Sequence, residues 1–333
     1  RGGGKANKNY AYKKFWSGGN FRMKLIKKEF IFNTNGEYDW SRNYATGPVV
    51  DIIDDKIWRI YYATRDSFNH GRTTYIEVEA GNPTNILYIH DRPIFGLGKI
   101  GTFDDCGAGV TSILNYNGKK YLYYLGITVR NTISYHNSMG LAISEDGGKT
   151  FYKFSEGPLL SPTYKEPYGN GATYTLLDGD IFRLYYTSFV GWEVYNNHPE
   201  PLYHIKYAES KNGIDWERNQ IISVDFKDGV KCGIAKPSVI KENGIYKMWY
   251  TYRGAFDYRT NKANSYRIGY GESKDGKVFT RMDEKFGMDI AENGWDSVMQ
   301  TYPNVIKYDD KYWVFYNGNT FGKTGFGCAV FEK

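Results

Sequence analysis

The sequence predicts an all-β fold, a single five-bladed β-propeller with four antiparallel strands per blade. Three observations predict it. Aromatic residues make up 18% of the 333 residues, with 32 Tyr beside 38 Gly. A pattern of apolar strand, turn and aromatic strand recurs five times. Each copy carries a two-residue hairpin signal. Aromatic side chains fit strands, and Gly fits tight turns. The same composition excludes a disordered chain, which is poor in aromatics, and a helical bundle, where Ala, Leu, Glu and Lys dominate.

The repeat is read first from its aromatic strands. They contain Ile60-Tyr61-Tyr62, Leu122-Tyr123-Tyr124, Leu184-Tyr185-Tyr186, Met248-Trp249-Tyr250 and Val314-Phe315-Tyr316, at steps of 62, 62, 64 and 66 residues. Asp54-Asp55, Asn117-Gly118, Asp178-Gly179, Asn243-Gly244 and Asp309-Asp310 precede them as hairpin turns. Asn-Gly and Asp-Gly supply the positive φ that such turns need. A second hairpin follows in the middle three copies, at Ser144-Glu145-Asp146-Gly147, Ser210-Lys211-Asn212-Gly213 and Ser273-Lys274-Asp275-Gly276. Each unit therefore reads as strands A, B, C and D, the content of a propeller blade.

The ends complete the count. The fifth unit stops at Phe331-Glu332-Lys333 after its third strand, and Phe21–Phe32 offers the missing outer strand. Pairing both chain ends in one blade removes an open edge. The expected organisation is a basic arm over residues 1–15 and one propeller over 16–333. Its blades fall near 44–98, 104–161, 168–225, 232–290 and 296–333 plus 20–33.

Charge is uneven. The chain carries +6, but residues 1–30 hold nine Lys or Arg against Glu29 alone. That stretch exceeds the net charge of the whole, so the rest is slightly acidic. No basic patch for nucleic acid is predicted. Three Cys without CxxC spacing predict neither a disulfide framework nor a zinc site. No cofactor or metal motif is found. No apolar run is long enough for a membrane-spanning helix. The start RGGGKANKNY lacks both Met and an apolar signal region, and the expectation is cytoplasmic. The oligomeric state is not readable.

Alternating strand directions put the A–B and C–D turns on one face and the longer B–C loops and D–A connections on the other. Long loops on a rigid scaffold concentrate function. On that face the sequence places Arg65, Asp66 and Arg72 in unit 1, and Arg130 and His136 in unit 2. It places Trp192 and His204 in unit 3, Arg253 and Arg267 in unit 4, and Asn317 and Asn319 in unit 5. Entries to the inner strands add Asp104, Asp105, Glu166, Tyr168, Lys236, Asp296 and Tyr302. Paired carboxylates suit glycosidic bond cleavage. Arg forks suit anions.

Long stretches then carry a resemblance: GTFDDCG (101–107), YHNSMGLAISEDGGKTF (135–151), PEPLYHIKYAESKNGIDWERN (199–219), SYRIGYGESKDG (265–276), and WDSVMQTYP with YNGNTFGKTGFG (295–303, 316–327). Over about residues 16–333 the chain resembles the five-bladed glycosidase-like propellers of the glycoside hydrolase family 43, 32, 68, 117 and 130 type. It looks nearest to uncharacterised bacterial members linked to surface-polysaccharide genes. The Ser-x-Asp-x-Gly-x-Thr-Phe run at 144–151 is similar to the sialidase Asp-box, a folding motif. Members of the superfamily often place a catalytic Asp directly before Pro on an inner strand. Here Gly47, Lys236 and Tyr302 stand before Pro48, Pro237 and Pro303.

The resulting expectation is a glycoside hydrolase-like enzyme acting on an acidic or phosphorylated glycan. Glu166 is assigned as general acid, with Asp105 or Asp296 as base or nucleophile. Arg65, Arg253 and Arg267 are assigned to the anionic group. The alternatives are a non-catalytic propeller binding a glycan or nucleotide sugar, and a phosphorylase or glycosyltransferase.

Overall fold

The structure is a computed structural model that describes residues 22–333. The basic arm predicted over residues 1–15 lies outside the described residues. Twenty strands dominate. They are β1 (Leu25–Phe32), β2 (Asn43–Ile52), β3 (Ile57–Arg65), β4 (Gly71–Glu79), β5 (Asn82–Ile89), β6 (Gly107–Tyr116) and β7 (Lys119–Thr128). Next come β8 (His136–Ser144), β9 (Tyr152–Lys153), β10 (Asn170–Asp178), β11 (Ile181–Tyr195), β12 (His198–Ser210) and β13 (Glu217–Val224). The last are β14 (Gly233–Glu242), β15 (Ile245–Arg253), β16 (Arg267–Ser273), β17 (Thr280–Arg281), β18 (Thr301–Tyr308), β19 (Lys311–Asn317) and β20 (Phe326–Glu332).

Antiparallel ladders join β2 through β5, β6 through β9, β10 through β13 and β14 through β17. The fifth group is β18-β19-β20-β1, so the first described strand pairs with the last. First strands lie side by side in the order β2, β6, β10, β14, β18 and again β2. Large core clusters sit between successive groups. Val49 and Tyr61 meet Leu122 and Ala142, and Trp58 and Ile60 of the first group meet Phe315 and Val330 of the fifth. Each buried Tyr or Trp withdraws roughly 150–250 Å² from water.

The turn chemistry follows the sequence closely. Asn117-Gly118, Asn243-Gly244 and Asp309-Asp310 all have positive φ. In the third group the turn is Gly179-Asp180, because Asp178 still pairs with Ile181. Asp54 acts differently: its carboxylate accepts the main-chain N–H groups of Lys56 and Ile57. The Asp-box repeats as a Ser cap. Ser144, Ser210 and Ser273 accept the N–H of Gly148, Gly213 and Gly276.

The aromatic pairs do two jobs because neighbouring strand residues face opposite ways. The first Tyr reaches the next group: Tyr61, Tyr123 and Tyr185 donate to the carbonyls of Gly148, Gly213 and Gly276 at 2.5, 2.9 and 2.7 Å. In the second to fifth groups the second Tyr donates to an acid. Tyr124 meets Asp104 at 2.9 Å, Tyr186 meets Glu166 at 2.9 Å, Tyr250 meets Asp283 at 2.5 Å and Tyr316 meets Asp296 at 2.8 Å.

Candidate functional site at the loop face

The long connections gather on the face opposite the hairpin turns. Unit 3 departs from the expected loop. Its β11 and β12 continue as a ladder to Tyr195 and His198, closed by Asn196-Asn197 at φ 48° and 60°. Trp192 and Glu193 therefore sit on a raised hairpin.

At the inner-strand entries, Gly47, Lys236 and Tyr302 have φ of 62°, 49° and 60°. Each stands directly before a Pro, which has no N–H to donate. For Lys236 and Tyr302 this left-handed backbone is strained, a feature that clusters at functional sites. The bulges are stitched to neighbouring strands: Asn317 Oδ1 accepts Gly47 N–H, Thr187 Oγ1 accepts Lys236 N–H, and Thr251 Oγ1 accepts Tyr302 N–H. The buried Lys236 ammonium donates to the Thr111 carbonyl at 2.7 Å. It thereby bridges β14 and β6, two groups apart. Burial draws its pKa down to about 7.

Aromatic side chains, mostly buried, pack in a chain nearby. Trp192 packs on Tyr135 and Phe189 with centroids 5.6 and 5.8 Å away. Phe189 packs on Tyr203 at 5.2 Å, and Tyr266 packs edge-on to Tyr302 at 6.3 Å. The Tyr203 and Tyr266 hydroxyls share a hydrogen bond. Arg253 donates to both hydroxyls and lies 3.8 Å from the Tyr258 ring centroid.

The three predicted catalytic acids have separate sets of partners. Glu166 is buried and accepts hydrogen bonds from Tyr186, Lys206, Gln220 and Arg218. Burial alone would raise its pKa, but Lys206, Tyr186 and Arg218 outweigh it and hold the pKa below the usual range. Such a carboxylate is a poor proton donor, which weighs against the general-acid expectation. Asp296 is held by Lys28 at 2.7 Å, Gln300 and Tyr316. Lys28 and Arg218 come from β1 and β13, at the far edges of their groups, so Glu166 and Asp296 are sealed into separate sheets. Asp105 accepts Gly101 N–H at 3.0 Å in its own loop. Its neighbour Asp104 is the true counterpart of Glu166 and Asp296. It is buried against Tyr124 and paired with Lys153 at 2.5 Å.

The expected cationic ring is largely occupied. Arg253 also binds the carbonyls of Gly254, Ala255 and Pro201. Arg267 binds those of Tyr266, Val298 and Lys262. Arg72 is paired with Asp66, whose carboxylate also accepts Phe68 and His70 N–H and so shapes the β3–β4 loop. Arg65 binds Asn69 and covers the Tyr44 ring. Arg130 is exposed.

Other predicted residues divide similarly. Asn317 accepts from Gly47 and Thr46, and Asn319 accepts from Val298 and Met299, so both fix loops. His204 is buried, binds Asp225 at 3.1 Å and stacks on Phe226. His136 is half-buried, and burial lowers its pKa. Tyr168 is exposed. Sequence reasoning missed Tyr135, Tyr203, Tyr258 and Tyr266. Their signal was the Tyr excess outside the five repeated pairs.

Comparison with known proteins adds two results, and no family model matches. The uncharacterized protein Rv1502 of Mycobacterium tuberculosis (strain H37Rv) is 33% identical over 303 residues, covering 91% of this chain and 97% of the relative. The uncharacterized protein MT1551 of strain CDC 1551 matches equally. Among solved structures, a glycoside hydrolase aligns with TM-score 0.68 at 16% identity over 92% of both chains. A thermostable family-43 glycoside hydrolase aligns at 0.59 and 17% over 87% of this chain and 88% of its own. An exo-1,5-alpha-L-arabinanase from a bovine ruminal metagenomic library aligns at 0.57 and 13% over 88% and 94%. The fold is thus that of the glycoside hydrolase propellers, and the chain belongs to the family of the M. tuberculosis protein Rv1502.

Proposed function

We propose that the five four-stranded groups are the blades of one five-bladed propeller running from β1 to β20. We further propose that its loop face binds a glycan without cleaving it by a carboxylate pair. The partly exposed rings of Trp192, Tyr135 and Tyr302 carry this reading, with the buried Phe189, Tyr203 and Tyr266 packed beneath them. Flat rings combined with hydroxyl donors suit sugar rings, which present apolar C–H faces and polar edges. The carboxylate geometry that glycosidases use needs two acids about 5–10 Å apart across one pocket. Here Glu166 is held by Lys206, Arg218 and Tyr186, and Asp296 by Lys28 and Tyr316, each set of partners coming from one sheet. The occupied cations likewise remove the support for a phosphate-holding phosphorylase or glycosyltransferase, and for an acidic ligand.

The test is a glycan array and calorimetry, followed by product analysis on each bound glycan. Binding that Trp192→Ala weakens, with no glycosidic cleavage, supports the reading. Cleavage that Glu166→Gln abolishes while the fold persists would restore the hydrolase assignment.

A further inference from the structure

A second set of groups lies on the same face, outside the aromatic cluster. His198 and Glu200 are two residues apart on β12, so they project from one side of the strand. The His198 Nδ1 lies 3.2 Å from Glu200 Oε1. The opposite ring nitrogen, Nε2, lies 3.4 Å from Ser134 Oγ, which comes from the β7–β8 loop of the neighbouring group. Glu200 is buried, while Ser134 and His198 are exposed. Its carboxylate is also bound by Arg259 and by the Tyr258 hydroxyl at 2.6 Å. Burial opposes its charge, but Arg259 and Tyr258 keep its pKa below the usual range. A cleft of about 380 Å³ opens beside His198 and Glu200, lined also by Tyr195 and Arg259.

We propose that Ser134, His198 and Glu200 form an acyl-transfer triad that hydrolyses an ester, with an O-acylated carbohydrate as the substrate class. A nucleophile, a base and a group that orients the base are the three parts such chemistry needs, recognised by geometry and not by chain order. Glu200 Oε1 stands 3.2 Å from Nδ1 as an ion-pair partner, and a proton held on Nδ1 turns the Nε2 lone pair toward the Ser134 hydroxyl. Ser134 Oγ attacks the ester carbonyl carbon while its proton passes to His198 Nε2. The C–O bond to the sugar breaks, and the leaving oxygen takes that proton. Water then attacks the acyl-Ser134, gives a proton to His198, and releases a carboxylic acid as Ser134 recovers its hydrogen. Arg259 is the cation of this cleft. The contact of 3.4 Å is long for a bound state, and triads without substrate are often this loose.

The sugar part of the substrate rests on the glycan-binding reading above; the acyl chemistry does not. The test therefore uses p-nitrophenyl acetate, which contains no sugar, and an alkyl fluorophosphonate with peptide mapping. The full chain is expected to hydrolyse the ester and to take one label at Ser134. Ser134→Ala and His198→Ala should each lower kcat/KM by at least about 100-fold, and the double variant should fall no further, because triad members act as a unit. Ser134 is exposed, so its Ala variant keeps the fold, which circular dichroism checks. Absence of both hydrolysis and label, a label elsewhere, or unchanged hydrolysis in Ser134→Ala overturns the triad. A negative result here leaves glycan binding intact, and a negative glycan array leaves the triad intact.

Discussion

The Lys236 ammonium meets the Thr111 carbonyl oxygen at 2.7 Å across one intervening first strand, β10, a buried cation whose one hydrogen-bond acceptor is a neutral group. Its position before Pro237, at φ 49°, sets the side chain on that course.

This arrangement costs stability when the amine is charged. With the folded pKa near 7 and the ordinary value at 10.5, the unfolded chain binds a proton that the folded chain lacks between those limits. Stability contributed by this group therefore rises with pH across that window. Lys236→Met is expected to raise the melting temperature at pH 7, by roughly 2–4 °C for each kcal/mol recovered. The gain should shrink by pH 10. Scanning calorimetry at both pH values checks it, and equal effects at both would refute the account.

Glu166 should matter to folding and not to chemistry. Glu166→Ala leaves the buried Lys206 and the half-buried Arg218 without their counter-charge. Breaking a buried pair in this way costs about 3–5 kcal/mol. Its carboxyl pKa is depressed, so its stabilisation is present above about 4.5 and is lost as pH falls below that. Urea denaturation at pH 7 should show the full loss for the variant, and the difference from the parent should narrow in acid.

The first Tyr of each pair gives a graded test. Tyr61→Phe, Tyr123→Phe and Tyr185→Phe each strip one hydrogen bond from a buried turn carbonyl. Each should cost about 1–2 kcal/mol. The sites are far apart in sequence and serve different turns, so the triple variant should lose about the sum. Chemical denaturation midpoints read this directly.

Glycan binding should concentrate on the raised hairpin. Trp192→Ala and Tyr135→Ala remove the two rings that meet at 5.6 Å. Aromatic anchors of an interface commonly carry 2 kcal/mol or more, about thirtyfold in Kd. Arg130→Ala should change binding less than threefold. Titration calorimetry with the tightest glycan from the array distinguishes them.

Much of the fold is legible in the sequence because its signals are local. Asn117-Gly118 and Asn243-Gly244 announce hairpins through a conformational need that few other pairs meet. The aromatic pairs announce B strands through their spacing. The site was less legible because its decisive contacts are distant. Whether Asp104 or Asp105 turns inward depends on Tyr124 and Lys153, 20 and 49 residues further on. Glu166 looks like a free carboxylate until Lys206 and Arg218 arrive from β12 and β13. His198-Pro199-Glu200 has the two-residue spacing of one strand face, yet Ser134 stands 64 residues away.

The pairing of β1 with β20, tied by Lys28 to Asp296, has a consequence for biosynthesis. This sheet joins segments about 300 residues apart, the costliest kind of loop to close. A growing chain can assemble its middle sheets as they leave the ribosome, but the first strand must wait for the last. Until then Asp296 lacks its cation, and the edge of β1 is open to other chains. Newly made molecules should therefore be most prone to aggregation, and most dependent on chaperones, in the interval before the C-terminal strand emerges.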